Sequence, residues 1–115
     1  MLYEILKSKI HNATVTSRNL EYVGSIKVDA SLVSAAGMFE HEKVLVSNLN
    51  NGQRFETYVI LGKWSSGIVE VNGAAAKLAK KGDKIIVMSF ALLDDEELRK
   101  HEPKIAIVDR KNKVI

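Results

Sequence analysis

Apolar and polar residues alternate along most of this chain, in short runs bounded by Gly, Asn, Asp or Ser. Val, Ile, Thr and Tyr are concentrated in those runs, and a period of two with this composition is the signature of half-buried strands. The pattern predicts strands over 10–16, 22–28, 43–49, 54–61, 68–71, 84–92 and 104–108, so the fold class is mainly β. Asn51-Gly52 separates two of the runs. A two-residue turn needs positive φ, which this pair adopts readily, so 43–61 is predicted to be one hairpin.

Three short helices interrupt the strands. Asp29 is placed to cap a helix over 30–36 that Gly37 stops, and Asn72 to begin one over 74–80 that Gly82 stops. The third, 95–101, has Asp94 as cap, Glu97 in the capping-box position and Pro103 beyond its end. The first two share a context: a strand ending in Asp or Asn, an Ala-rich helix, a Gly, then another strand. This weak repeat suits a small barrel with pseudo-twofold symmetry and is equally compatible with chance.

Composition narrows the class. With 115 residues, 46% hydrophobic and 27% charged, the chain reads as a single domain over 1–115 with a core of its own. Absence of Cys excludes disulfides, thiolate-bound metal centres and a thiolate nucleophile. No uncharged apolar run approaches the roughly 18 residues of a membrane span. The opening MLYEILKSK carries Glu4, Lys7 and Lys9 where a signal peptide is apolar. The expectation is a cytoplasmic protein without a membrane partner. Net charge is +3, but residues 99–115 hold six Lys/Arg against two acids, so that tail is +4 and the remainder −1. The basic excess reads as a solvated tail rather than a phosphate-binding arm.

Standard motifs are missing: there is no phosphate-binding loop, dinucleotide fingerprint, nucleophile elbow or paired-His metal motif, and His11, His41 and His101 are scattered. Gly24-Ser25 falls inside the strand predicted over 22–28, where Gly weakens a strand and often marks a bulge. A Ser after such a Gly can attack the preceding carbonyl, turning amide into ester, with Gly leaving room for the tetrahedral intermediate. A plain structural bulge explains the same dipeptide. On the strand over 54–61, alternation sets Arg54, Glu56 and Tyr58 on one face and Phe55, Thr57 and Val59 on the other. Arg forks match carboxylates and a Tyr hydroxyl can deliver a proton, although a solvated face reads the same way. Lys9 and His11 repeat the i, i+2 spacing on an earlier strand.

Taken as a set, Lys9-Ile10-His11, Tyr22-Val23-Gly24-Ser25, Asn51-Gly52-Gln53-Arg54-Phe55-Glu56-Thr57-Tyr58 and Val71-Asn72-Gly73-Ala74-Ala75-Ala76 strongly resemble the pyruvoyl-dependent aspartate 1-decarboxylases, over nearly the whole chain. The resemblance implies a six-stranded double-psi β-barrel with short helices, assembled as a homotetramer with sites between subunits. It implies self-cleavage at Gly24-Ser25 into residues 1–24 and 25–115, with Ser25 converted to a covalent pyruvoyl group, and neither a metal nor pyridoxal phosphate as cofactor. L-aspartate is the implied substrate, β-alanine and CO2 the products, and pantothenate and coenzyme A synthesis the destination. Carried over position by position, Gly24, Ser25 and Thr57 serve processing and Tyr58 donates a proton after decarboxylation. Lys9, Arg54, His11, Thr57, Asn72, Gly73, Ala74 and Ala75 bind substrate, and Tyr22 shapes the pocket. An accessory maturation protein belongs to the same expectation.

Ser47 departs from the pattern, since some relatives carry an aromatic there, and the tail after about Pro103 is divergent and short. Two other classes compete. A basic barrel binding nucleic acid is opposed by the −1 charge of residues 1–98, and an inactive relative is opposed by the joint presence of Gly24, Ser25, Thr57 and Tyr58.

Overall fold

The computed structural model describes all 115 residues, Met1–Ile115. Each of the seven alternating runs becomes all or part of a strand, and an eighth, β2, lies outside them: β1 (Tyr3–Thr14), β2 (Ser17–Asn19), β3 (Ser25–Asp29), β4 (Lys43–Asn48), β5 (Arg54–Gly62), β6 (Val69–Asn72), β7 (Lys84–Leu93) and β8 (Lys104–Ile107). Two short α-helices, α1 (Ala30–Ala35) and α2 (Asp95–Lys100), and one 3-10 turn (Gly73–Lys77) complete the chain. No helix is long and apolar enough to cross a membrane.

The eight strands form one sheet in the order β2-β6-β3-β5-β4-β7-β1-β8. Pairing is parallel for β1 with β8, β2 with β6 and β3 with β5, and antiparallel elsewhere. Only Val15 and Thr16 separate β1 from β2, yet β1 lies near one end of the order and β2 at the other. The ribbon 3–19 therefore bends the sheet back on itself. At the bend the Val15 amide donates to the Asp83 carbonyl at 2.9 Å and the Thr16 amide to the Val69 carbonyl at 2.8 Å, so the backbone stays paired across it. Inside sits one cluster of 21 buried apolar residues, about half of them the inward-facing Val and Ile of the strands.

Four sequence expectations change. The strand expected over 22–28 starts only at Ser25; residues 20–24 form a turn, so Gly24 precedes the strand and marks no bulge. The helix expected over 74–80 is the 3-10 turn Gly73–Lys77, and Asn72 makes no capping bond, whereas Asp29 does cap α1. Asn72 spends its amide on Ser25 instead, at 3.1 Å, which ends the likeness between the two halves. The first strand begins at Tyr3, because residues 3–9 pair with β7 despite their charged outer face. The C-terminal tail is partly packed: Val108 and Asn112 are buried, and Asn112 accepts from the Thr14 amide at 2.8 Å while donating to the Thr14 and Gly67 carbonyls at 2.9 and 2.8 Å.

Candidate active site

The turn 20–24 and the start of β3 bring Ser25 into a buried position, 1% exposed, beside the end of β6. Its hydroxyl donates to the Val23 carbonyl at 3.1 Å and accepts from Asn72 Nδ2 at 3.1 Å. A hydroxyl bonded to the carbonyl two residues back turns along the chain toward the Gly24-Ser25 link rather than out to solvent. Asn72 is fully buried and its Oδ1 has no partner, an expensive arrangement unless something else satisfies it.

Strand register explains why these side chains meet. Asn19 stands opposite Asn72 in the β2/β6 pair, and Asn72 opposite Ser25 in the β6/β3 pair. In the parallel β3/β5 pair Ile26 is opposite Val59, so the first residue of β3, Ser25, runs beside Tyr58, and Thr57 is the next residue of β5 toward the turn that holds Gly24. Residues in one row share a face, so Asn19, Asn72, Ser25 and Tyr58 form a polar row across four strands. Thr57 belongs to the neighbouring row, opposite Val44.

Gly73 begins the 3-10 turn at φ +74°, a region that favours glycine. A Cβ there would lie 2.6 Å from Gly24 Cα, 2.9 Å from Gly24 N and 3.3 Å from the Tyr22 carbonyl. Ala74 is exposed and Ala75 half-buried on the same turn. Tyr22 is exposed, with the Lys27 ammonium 5.6 Å above its ring. Lys27 escaped the sequence reading; its signal was the alternation that puts it two residues after Ser25 on β3.

Lys9, His11 and Arg54 lie elsewhere in the chain. Strands β4 and β7 stand between β5 and β1 in the sheet order, so Lys9 and His11 are on a strand that does not pair with β5. A register shift between Ile10 and Ala13, with Asn12 at φ 72°, gives β1 a bulge beside His11, whose Nδ1 is buried without a partner. Arg54 starts β5, four residues or roughly 13 Å from Tyr58, opposite Ser47. It is exposed and lines the largest cavity, about 650 Å³ between the outer faces of β4, β5 and β7; Ser25 is not part of that cavity.

Within this polar row Ser25 holds a hydroxyl bonded to its own backbone, and the comparisons agree on the family of the chain. The aspartate decarboxylase family profile matches residues 1–115. The chain is 58% identical over 115 residues to the aspartate 1-decarboxylase of Caldicellulosiruptor saccharolyticus, covering 100% of this chain and 90% of that protein. Its identity is 54% over 114 residues to the enzyme of that name from Neisseria meningitidis and 48% over 114 residues to that from Bacillus subtilis, each covering 99% of this chain and 90% of the relative. On a match that spans every residue, Ser25 and its neighbours included, the chain belongs to the aspartate decarboxylase family.

Proposed function

We infer that this chain is an aspartate 1-decarboxylase, converting L-aspartate to β-alanine and CO2 for pantothenate and coenzyme A synthesis in the cytoplasm, and that it is made as a precursor that cuts itself at Gly24-Ser25. The observation that carries the self-processing is the buried Ser25 hydroxyl held between Asn72 Nδ2 and the Val23 carbonyl. Gly24 adds to it. Its φ is not in the left-handed region and a Cβ there would meet nothing within 4 Å, so neither backbone strain nor crowding in the folded precursor demands glycine. The reacting carbonyl gains from it instead, because attack makes that carbon tetrahedral.

In this reading Ser25 Oγ bonds to the Gly24 carbonyl carbon, the C–N bond breaks, and the hydroxyl proton ends on the Ser25 nitrogen, leaving an ester and a free amine. Removal of the Ser25 α-proton then expels the Gly24 carboxylate with its electron pair and leaves dehydroalanine. Its imine tautomer takes up water and loses ammonia, which yields a pyruvoyl group at the start of residues 25–115. Thr57, two residues before the Val59 that pairs with Ile26, is the hydroxyl we assign to the carbonyl oxygen as it gains charge.

The residues present fit that group: Asn72 Nδ2 already donates to the side chain that becomes it, and the unpartnered Asn72 Oδ1 leaves an acceptor for a substrate amine. Once formed, it supplies a ketone that condenses with the amine and takes up the electron pair as CO2 leaves. Tyr58, beside Ser25 in the row, holds the proton returned to the substrate carbon. Gly73, Ala74 and Ala75 close one side without side-chain bulk. Lys9 and Arg54 are cations suited to the remaining carboxylate, with His11 lining the pocket, but β1 pairs with neither β3 nor β5, and Arg54 starts β5 four residues before Tyr58. Their placement supports a site completed by a second copy, hence the homotetramer, and the bent-back sheet with its three parallel pairs supports a double-psi barrel built on six of the eight strands.

Intact-mass measurement under denaturing conditions tests the reading. Fragments of 24 and 91 residues are expected, the larger with a carbonyl at its N-terminus that hydrazine traps. A chain that stays whole on prolonged warming with its maturation partner present overturns it.

A further inference from the structure

Gly73 touches the backbone that is to be cut. Its missing side chain would lie 2.6 Å from Gly24 Cα and 2.9 Å from Gly24 N, closer than real Cβ atoms approach backbone. Asn72, its neighbour, holds the Ser25 hydroxyl at 3.1 Å. Two consecutive residues thus grip the two sides of the Gly24-Ser25 link, one by a side chain and the other by having none.

We propose that Gly73 is a positioning residue for self-processing: close packing of its Cα on Gly24 sets the carbonyl of Gly24 in line with the Ser25 hydroxyl. This rests on the self-cleavage inferred above. Attack of Oγ on the carbonyl carbon with proton transfer to the departing nitrogen needs the two atoms near contact and aligned, and misplacement by about 1 Å costs on the order of 100-fold in rate. A methyl on Gly73 has only backbone to push against, so the turn 22–24 must shift by about that much. Ser25 itself stays tied to β6 through strand pairing, and so the nucleophile and its target move apart.

Gly52 supplies a matched control. Its φ is +75°, against +74° for Gly73, and a Cβ there would meet nothing within 4 Å. Gly52→Ala therefore carries the backbone strain of Gly73→Ala without the contact. Gly73→Asn separates the two causes in the other direction, because Asn tolerates the left-handed region yet still carries a Cβ.

The experiment follows the cleaved fraction by intact mass over time in wild type, Gly52→Ala, Gly73→Ala and Gly73→Asn, each checked for folding by circular dichroism and melting temperature. Cleavage at least 10-fold slower in both Gly73 variants than in Gly52→Ala is expected, with Asn no better than Ala. Cleavage at the Gly52→Ala rate in either folded Gly73 variant overturns the proposal. So does failure of both Gly73 variants to fold, which would make the contact a requirement of folding. Absence of cleavage in the wild type refutes the self-processing reading itself and is told apart by that.

Discussion

Ile26 stands directly opposite Val59 in the parallel pair β3/β5, and that one register contact decides which hydroxyls the Gly24-Ser25 link can meet. One residue back, Tyr58 falls beside Ser25; Thr57 follows on β5, toward the turn that holds Gly24. A shift of one residue would put Thr57 or Val59 beside Ser25 in place of Tyr58 and send each to the other face of the sheet. In the proposed mechanism maturation and proton delivery draw on adjacent residues of β5 that face opposite ways, and single substitutions can separate them.

Thr57→Val removes the hydroxyl proposed to serve the Gly24 carbonyl and keeps the β-branched shape that strand β5 favours. Cleavage is expected to slow roughly 100- to 1,000-fold, the usual cost of losing one oxyanion donor. Time courses of intact mass on folded protein check this, and wild-type speed would remove Thr57 from processing.

Tyr58→Phe keeps the ring and deletes the hydroxyl beside Ser25. Cleavage and pyruvoyl content, read by hydrazine trapping, are expected to stay normal, while β-alanine release falls roughly 100- to 10,000-fold, the range for a positioned general acid. Loss of pyruvoyl content would instead assign Tyr58 to maturation.

Alternation made legible the strands with one face in the core: on β4, Val44, Val46 and Asn48 are buried and the residues between them are not, whereas β2, with no buried residue, gave no such signal. Asn51-Gly52 likewise announced the hairpin, and Asp94 with Glu97 forms the expected capping box on α2. What stayed hidden depends on pairing between distant strands. Nothing local to Asn72 says that its amide will be taken by Ser25, 47 positions away, instead of capping a helix. Nor does β1 reveal from its own residues that β4 and β7 will stand between Lys9 and Tyr58. The tail misled for a related reason. Its charge suggested solvation, while the residue that anchors it, Asn112, is uncharged and finds its partners across the fold at Thr14 and Gly67.

Asn112→Ala tests that anchoring. The buried Thr14 amide and the Thr14 and Gly67 carbonyls would lose their partner, at an expected cost of about 2–3 kcal/mol. Urea unfolding measures it. Because the tail lies away from the row that holds Ser25, cleavage at Gly24 should proceed as in the wild type; a stability change within about 0.5 kcal/mol would make the tail a solvated appendage after all.

Asp29→Asn probes the clamp between β3, α1 and the turn at 63–67. Burial alone would raise the Asp29 carboxyl, but the Ser31 hydroxyl and the amides of Gly67, Ser31 and Ser65 all donate to it and together hold it below its ordinary value. A carboxyl depressed in the folded state adds stability that is fully present above its unfolded value, near pH 4, and is lost as pH falls through the lower folded value. The amide of Asn replaces one acceptor with a donor, which then faces the Gly67 or Ser65 amide. Wild type should therefore exceed Asp29→Asn by about 2–3 kcal/mol at neutral pH, the scale of bonds to a charged group. That difference should stay level down to about pH 4 and shrink below it. Asp83 and Asp109, also depressed, act equally in both proteins and cancel in the comparison. Urea titrations of the two proteins between pH 2.5 and 7 read the difference directly, and a gap that persists unchanged into acid would mean that the shape of the side chain, not its charge, closes the clamp.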